Sequence, residues 1–86
     1  MASYRLLFKR SVAKELRAIP SANVKRLLAR IEELALNPRP AGSEKLSAQE
    51  RYRIRQGRYR IVYEIRDAEL VVLVVKLAHR KDIYRH

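Results

Sequence analysis

The sequence predicts a single α+β domain over residues 1–86, in which a helical hairpin packs on one face of an antiparallel sheet in the order β-α-α-β-β-β. Three observations lead to this prediction. Apolar residues recur at helical spacing between Val12 and Ala35, as on the buried side of helices. Polar and apolar residues alternate from Arg51 to Arg66 around Gln56-Gly57, which indicates two strands and a turn. The run LVVLVV at 70–75 is typical of a strand buried on both faces.

The first strand and the first helix are short. Tyr4 to Phe8, YRLLF, is an apolar run of strand length and is compatible with a buried strand. Ser11 is suited to cap the helix that follows, because its hydroxyl can accept a hydrogen bond from a free backbone N–H. Pro20 ends this helix, since the residue before a proline is pushed out of the helical region.

A longer amphipathic helix follows, which Ser21 can cap and Asn37-Pro38 ends. The connection between the two helices is so short that they must pair as a hairpin. Residues 38–50 have the prolines and the glycine of an irregular loop, and Leu46 is expected to attach that loop to the core. The apolar stripe of the longer helix comprises Val24, Leu27, Leu28, Ile31, Leu34 and Ala35.

The register of the predicted strand pair depends on its turn. Two-residue loops at 56–57 and at 57–58 are both compatible with the pattern, and the second of them sets Arg55 opposite Arg60. Either loop places Arg53, Arg55 and Arg60 on one face of the sheet, because side chains alternate along a strand. The opposite, buried face then carries Tyr52, Ile54, Tyr59 and Ile61.

Several arginines side by side on one sheet face indicate an anion-binding surface. Like charges directly across a strand pair cost a few tenths of a kcal/mol up to about 1 kcal/mol each, so a fold that retains them has an anion to bind there. The formal net charge of +11 favours polyanions, either nucleic acid or a strongly acidic protein. Arginine is also the side chain suited to bidentate phosphate contacts. We therefore expect an open basic face that binds a phosphodiester backbone.

Other classes of function are poorly supported. The chain has no cysteine, which excludes disulfides, thiolate metal sites and a cysteine nucleophile. Its acidic residues are scattered, so neither the carboxylate set of a metal-dependent nuclease nor a cofactor site is expected. No apolar run approaches the roughly 20 residues that span a bilayer, and the start of the sequence lacks a signal-peptide core. A cytoplasmic protein without membrane contact is expected.

Metal-independent cleavage of RNA remains, in which a 2′-OH attacks the neighbouring phosphate. Arginines can stabilise the charge of the transition state, but they cannot act as bases. The candidates for proton transfer are His79 and Tyr84, with His86 a weaker third. Each has an ordinary alternative, as a solvent-exposed histidine at a strand end or as a packing tyrosine. Arg80 follows the predicted central strand and can join the arginines of the hairpin.

The hairpin YRIRQGRYRIVYEI, followed after LVVLVVKLA by HRKDIYR, resembles the RelE family of toxins from prokaryotic toxin–antitoxin pairs. The NPRP end of the second helix and the GSEKL stretch are also similar, so the resemblance covers nearly the whole chain. It implies a RelE-like fold and an mRNA endonuclease that works in the ribosomal A site. It also implies an acidic RelB-type antitoxin that holds the toxin inactive, with operator DNA bound by the complex through the antitoxin.

The resemblance also implies roles for individual residues. It assigns contacts with the substrate and the transition state to Arg53, Arg55, Arg60 and Arg80, and a catalytic or base-stacking role to Tyr84. The sequence departs from well-studied members, which have lysines at the positions of Arg53 and Arg55. Arginine there favours electrostatic stabilisation over a general-base role, so a different residue is left to move the proton. Further contacts with RNA are expected from Arg51, Arg58, Lys81 and Arg85.

Two other functions remain open from the sequence. A ParE-like relative has the same fold but inhibits DNA gyrase as a protein and is not an enzyme. The arginine set and the HRKDIYR tail are unfavourable to this alternative, because a gyrase inhibitor has no need of a phosphate site. The third function is that of a basic module without catalytic activity, which binds RNA or a protein partner.

Overall fold

The computed structural model describes residues 3–46 and 50–79 of the chain. This part of the chain forms one sheet against which two helices pack, in the predicted α+β arrangement. The helices are α1 (Arg10–Arg17) and α2 (Ser21–Leu36), and the strands are β1 (Arg5–Phe8), β2 (Glu44–Lys45), β3 (Arg51–Gln56), β4 (Tyr59–Arg66) and β5 (Val71–His79). A short 3₁₀ turn, Asp67–Glu69, joins β4 to β5.

The strand order in the sheet is β1-β5-β4-β3-β2. β3, β4 and β5 form the predicted antiparallel meander, and β5 is an internal strand, as its apolar run indicates. β1, in contrast, runs parallel to β5, with Arg5 opposite Val71 and Phe8 opposite Val74, so the sheet is mixed and not purely antiparallel. Alternation along a strand does not encode the direction of its neighbour. A parallel pair requires only a long connection, which the helices and the hairpin supply.

The two helices cover one face of the sheet and share a core with it. They contribute four side chains that are each at most 1% exposed, namely Val12, Leu27, Ile31 and Leu34. These pack on alternate residues of the strands, among them Tyr52, Ile54, Ile61, Tyr63, Ile65, Val72, Val74 and Leu77. The Tyr63 hydroxyl donates a hydrogen bond to the carbonyl of Pro38 at 2.7 Å, and burial raises the pKa of this tyrosine to about 12. The loop after α2 is thereby fixed to the middle of the sheet.

Both helices begin at other residues than the sequence predicts. α1 starts at Arg10, directly after β1, with Lys9 at the N-cap, and α2 starts at Ser21 with Pro20 at the N-cap. Ser11 and Ser21 therefore lie inside the helices, and no side chain caps either N-terminus. Pro20 can occupy its position because its fixed φ suits the extended backbone of an N-cap.

The edges of the sheet also differ from the sequence-based expectation. β1 is an edge strand, so Leu7 and Phe8 are each 42% exposed, where a buried strand is predicted. At the other edge, the predicted irregular loop contributes β2, which pairs with β3. Leu46 is 40% exposed, so its side chain does not attach this segment to the core. The backbone makes the attachment instead, since the Leu46 N–H donates to the Arg51 carbonyl at 2.9 Å.

A β-bulge in β5 determines which side chains reach each face of the sheet. The register with β4 shifts between Val62 and Tyr63, so that Val75 is the extra residue of β5. The alternation of side chains reverses at this point. Leu77 therefore lies beneath the helices, where it is 4% exposed, whereas Lys76 lies on the opposite face.

Glu15 of α1 caps the part of β5 that extends past β1. One carboxylate oxygen accepts a hydrogen bond from the backbone N–H of Leu77 at 3.0 Å, and the other lies 3.1 Å from Lys76 Nζ. An unpaired strand edge exposes free backbone donors and acceptors. Glu15 therefore supplies a hydrogen-bond acceptor to the edge of β5 where β1 no longer pairs with it.

Replacing Glu15 by alanine is expected to lower the free energy of unfolding by about 1–3 kcal/mol, because the partly buried N–H of Leu77 loses a charged acceptor. Glu15→Gln keeps an acceptor for Leu77 and loses only the ion pair with Lys76, so it is expected to cost less than about 1 kcal/mol. Urea unfolding measures both, with the exposed change Glu32→Ala on α2 as a control that costs at most about 0.5 kcal/mol. Equal losses in Glu15→Ala and Glu32→Ala would show that Glu15 does not support β5.

Candidate site on the arginine face of the sheet

The predicted hairpin positions the arginines. Its turn is the Gly57-Arg58 loop, since Arg55 lies opposite Arg60. Gly57 has a φ of +61°, in the left-handed region that glycine adopts without strain. Of the two registers that the sequence allows, the structure has the one in which Arg55 lies opposite Arg60 and Arg53 lies opposite Val62.

We call the surface of the sheet opposite the helices the arginine face. It is built from side chains in register across β3, β4 and β5, and it brings together the three hairpin arginines as predicted. The row nearest the turn is Arg55, Arg60 and Ala78, the next is Arg53, Val62 and Lys76, and the third is Arg51, Glu64 and Leu73. Three arginines therefore lie within two neighbouring rows, in which the one further cation, Lys76 of β5, is paired with Glu15.

Carboxylates accompany the arginines at one end of this face. Arg51 is ion-paired with Glu64, and Arg53 Nη2 lies 3.1 Å from Glu44 Oε2. Arg55, at the turn end, is exposed and has no hydrogen bond or ion pair with the residues that the structure describes. The described residues therefore do not neutralise the charge of Arg55 at the turn end of the arginine face.

Arg60, opposite Arg55, is only 9% exposed. An arginine side chain keeps its charge under ordinary conditions, and burial removes most of the water that would screen it. The interaction of such a cation with an anion is therefore stronger than that of a surface arginine. The buried cation of Arg60 thus lies beside the solvent-accessible cation of Arg55.

Glu64 neutralises the end of the arginine face away from the turn. A hydrogen bond from Arg51, and a weaker one from Arg66, holds the pKa of the Glu64 carboxyl below its usual range, although burial opposes this. A carboxylate with a lowered pKa is a weak base. Glu64 is therefore not suited to remove the proton of a ribose hydroxyl.

His79 lies on the opposite face from the arginines. Because the bulge at Val75 reverses the alternation, His79 lies opposite Tyr59, whose ring it meets edge-on at a centroid distance of 5.2 Å. Tyr59 packs against the core beneath the helices. The structure thus does not bring His79 together with Arg55 and Arg60, with which the sequence groups it for proton transfer.

The other candidates from the tail lie outside the described residues, namely Arg80, Lys81, Tyr84, Arg85 and His86. Their roles stay predictions. The strand that precedes them ends beside the arginines, since Ala78 lies opposite Arg60 in the row nearest the turn. Arg58 of the turn is exposed and lies at the tip of the hairpin.

Other kinds of site receive little support from the described part of the chain. Within residues 3–46 and 50–79, no helix is long and apolar enough to cross a bilayer, and no three histidine, aspartate or glutamate side chains converge as a metal-ligand set. A cavity of about 370 Å³ lies between α1 and the end of β5, and its lining includes Glu15, Ile19 and His79. His79 therefore borders this cavity on the helix side of the sheet.

Sequence reasoning missed a polar network at the end of the sheet away from the turn. Arg39 donates to Asp67 Oδ2 at 2.9 Å, to Glu50 Oε2 at 3.0 Å and to the Tyr52 hydroxyl at 3.0 Å. The Tyr4 hydroxyl donates to Asp67 Oδ1 at 2.7 Å. The one signal in the sequence is the arginine of NPRP between two prolines, which indicates a rigid loop but not its partners. This network fastens the loop after α2 to β3 and to the turn after β4.

The network predicts a loss of stability in acid. Hydrogen bonds from Arg39 and then from Tyr4 lower the pKa of Asp67 from 3.8 to about 2. A carboxyl whose pKa is lowered in the folded state contributes stability that is fully present above about pH 4 and is lost as the pH falls through about 2. We expect the thermal unfolding midpoint to fall across this window and Asp67→Asn to flatten the fall. Glu69→Gln, an exposed neighbour, is the control, and an unchanged acid slope in Asp67→Asn would contradict this role.

A helical hairpin on one face of a small mixed sheet, with arginines on the other face, is the arrangement expected of the family that the sequence resembles. Residues 6–84 match the family model described as "ParE toxin of type II toxin-antitoxin system, parDE". The chain belongs to this family, and thereby to the RelE/ParE superfamily of toxins.

Known members of the superfamily confirm the resemblance to RelE. The chain is 28% identical to a protein of Methanocaldococcus jannaschii named as toxin RelE1, over 87% of this chain and 88% of that one. It is similar to the archaeal RelE–RelB complex from Pyrococcus horikoshii OT3, with a TM-score of 0.80 and 27% identity over 98% of this chain and 99% of that chain. It is also similar to a doubly substituted E. coli toxin RelE in complex with an antitoxin RelBc peptide, with a TM-score of 0.76 and 32% identity over 98% and 92% of the two chains. The predicted RelE-like fold is thus confirmed.

Proposed function

We propose that this toxin is an endoribonuclease that cleaves mRNA on translating ribosomes, by metal-independent attack of a ribose 2′-OH on the neighbouring phosphate. The observation that carries the proposal is the turn end of the arginine face, where exposed Arg55 lies opposite buried Arg60. Two guanidinium groups in register are unfavourable unless an anion offsets their repulsion. A phosphodiester suits this position, because its two non-bridging oxygens match the paired donors of guanidinium groups.

In the proposed reaction, the 2′-oxygen forms a bond to phosphorus and the bond from phosphorus to the 5′-oxygen breaks. One proton leaves the 2′-OH and one reaches the 5′-oxygen, so that the products are a 2′,3′-cyclic phosphate and a 5′-OH. Negative charge builds up on the phosphate oxygens in the transition state, where cations held in place stabilise it. Arg53, Arg55 and Arg60 supply this charge, and Arg80 is assigned to the same site.

Proton transfer is assigned to a group outside the hairpin. Arginines do not act as bases, and Glu64 is a weak base because the hydrogen bond from Arg51 lowers its pKa. The position of His79 on the opposite face favours Tyr84 as the residue that moves the proton or stacks on an unpaired base. Further contacts with RNA are assigned to Arg51, Arg58, Lys81 and Arg85.

An acidic antitoxin of the RelB type is the proposed protein partner. Similar solved structures are RelE proteins in complex with RelB or a RelBc peptide. A chain with a formal net charge of +11 also needs an acidic partner to keep it from RNA, and such a partner would fold as it wraps the toxin. We further propose that the toxin acts in the ribosomal A site, in the cytoplasm, and that the complex binds operator DNA through the antitoxin.

Inhibition of DNA gyrase is the second candidate function, because the family model that matches residues 6–84 is described as a ParE toxin. In a gyrase inhibitor, the arginine face would bind a protein and would need no phosphate site. The pairing of Arg55 with Arg60 favours a phosphate ligand over this alternative.

Mapping of mRNA 5′ ends after brief expression tests the proposal. We expect new 5′ ends within translated regions, which depend on translation, and we expect Arg80→Ala and Tyr84→Ala to reduce them about 100-fold or more. Lys14→Ala, an exposed change on α1, is the control that retains cleavage. Intact messages together with relaxed or broken DNA would replace the proposal by gyrase inhibition. A chain that neither cleaves mRNA nor slows growth would support the module without catalytic activity.

A further inference from the structure

A cleft at the tip of the β3–β4 hairpin lies on the helix side of the sheet, away from the arginine face. Its volume is about 330 Å³, within the range of small-ligand sites. The first half of α2 contributes Asn23, Arg26 and Leu27 to its lining, and the hairpin contributes Arg58 and Tyr59. The cleft is thus formed between two elements that are distant in the sequence.

The lining of this cleft carries two cations and no carboxylate. Arg26 and Arg58 are both exposed, and neither has a hydrogen bond or an ion pair with any residue in the described part of the chain. Arg30, one turn further along α2, is in contrast paired with Glu33 at 3.0 Å. Two guanidinium groups from different elements therefore border one cleft with their charge left for a ligand.

Tyr59 supplies an aromatic wall to the cleft. Its ring packs against the core and meets the ring of His79 nearly at a right angle, which fixes its place. A fixed ring beside cations suits an unpaired nucleotide, whose base stacks on the ring while its phosphate accepts hydrogen bonds from guanidinium groups. The Asn23 amide adds a donor and an acceptor that can meet a base edge.

We propose that this cleft binds one nucleotide of single-stranded RNA, with its phosphate between Arg26 and Arg58 and its base against Tyr59. The site is separate from the arginine face, whose Arg55 lies on the other side of the same hairpin. The inference rests on the proposed function, because it adds a second RNA contact to an RNA-cleaving toxin. RNA that passes from the arginine face over the turn meets the cleft next, since Arg58 lies at the tip of the hairpin and lines the cleft.

Binding of a short single-stranded RNA to the full chain tests this, with every ribose 2′-O-methylated so that the RNA cannot be cleaved. The variant Arg26→Ala/Arg58→Ala is compared with Arg17→Ala/Lys25→Ala, which removes the same charge from exposed positions outside the cleft. Each lost phosphate contact lowers the slope of log affinity against log salt by about 0.7. We expect the cleft variant to bind about tenfold more weakly at low salt with a slope reduced by about 0.7, and the control to keep the wild-type slope.

Tyr59→Leu gives a second, independent measurement. It removes the stacking surface and no charge, so we expect about tenfold weaker binding with an unchanged salt slope. Circular dichroism and thermal unfolding of each variant show that the fold is retained before binding is compared. A Tyr59→Leu variant that folds and binds RNA as the wild type does would refute the stacking part of the proposal.

The remaining outcomes separate the cleft from general charge and from catalysis. Equal losses of RNA affinity in the two double variants would overturn the proposal, because total charge would then explain the binding. A cleft variant that loses affinity for an acidic peptide but not for RNA would also overturn it, because the cleft would then bind a protein. Because the RNA cannot be cleaved, binding is independent of activity. If the wild-type chain binds RNA through the cleft but cuts no mRNA, this inference holds and the proposed function fails. If the wild-type chain cleaves mRNA but the cleft variant binds RNA as tightly as the wild type, the proposed function holds and this inference fails.

Discussion

Arg55→Ala is expected to reduce mRNA cleavage by about 100- to 1,000-fold, because it removes one of the cations that stabilise the transition state. The same change is expected to leave the free energy of unfolding unchanged or to raise it by up to about 1 kcal/mol. Arg55 is exposed and makes no hydrogen bond or ion pair within the described residues, and its removal relieves the repulsion with Arg60. The loss of activity is measured as mRNA cleavage by the purified toxin on ribosomes, and the free energy of unfolding is measured in urea. A residue whose removal lowers activity without lowering stability has a functional role.

Two companion variants sharpen this experiment. Arg60→Lys keeps the charge but loses the paired donors of the guanidinium group, so an intermediate loss of about 10- to 100-fold is expected. Arg66→Ala removes a charge from the same face at its far end, where the Arg66 guanidinium lies 3.5 Å from Glu64, and is expected to retain cleavage. If Arg66→Ala loses as much cleavage as Arg55→Ala, total charge and not a phosphate site at the turn end explains the activity.

Leu34→Ala is expected to lower the free energy of unfolding by about 2–5 kcal/mol, since a fully buried side chain is lost and a cavity is left. The free energy of unfolding of an ordinary domain is about 5–15 kcal/mol, so this single change removes a large part of the stability. Leu36, two residues further along α2, is 71% exposed, and Leu36→Ala is expected to cost at most about 0.5 kcal/mol. Urea unfolding of the pair provides the measurement. Similar losses at both positions would contradict the orientation of α2 on the sheet.

The hairpin and α2 could be predicted from the sequence because each pattern is local. Alternation in β3 and β4 follows from one buried and one open face, and it determined the shared face of Arg53, Arg55 and Arg60 for either turn. The choice between turns depends on backbone geometry, which composition does not encode. The structure has the turn at Gly57-Arg58, which sets Arg55 opposite Arg60.

The position of His79 could not be predicted, because one extra residue in β5 reverses every side chain beyond it. The run that contains Val75 is apolar at each position, so a bulge there leaves no mark in the pattern. Straight alternation from Val74 would have placed His79 on the arginine face. The two-residue strand β2 is too short to show alternation, and the partners of Arg39 lie in other loops and strands, which is why both were missed.

The pairing of β1 with β5 has a consequence for the synthesis of the toxin. Arg5 lies opposite Val71, a separation of 71 − 5 = 66 residues, and β5 is the strand between β1 and β4 although it follows both in the chain. A nascent chain therefore cannot complete its sheet before residues 71–79 have left the ribosome, and such non-local contacts form slowly. The arginines of the hairpin are translated while the strand that supports them is still missing. The arginine face is therefore complete only after the last strand of the described sheet has been made.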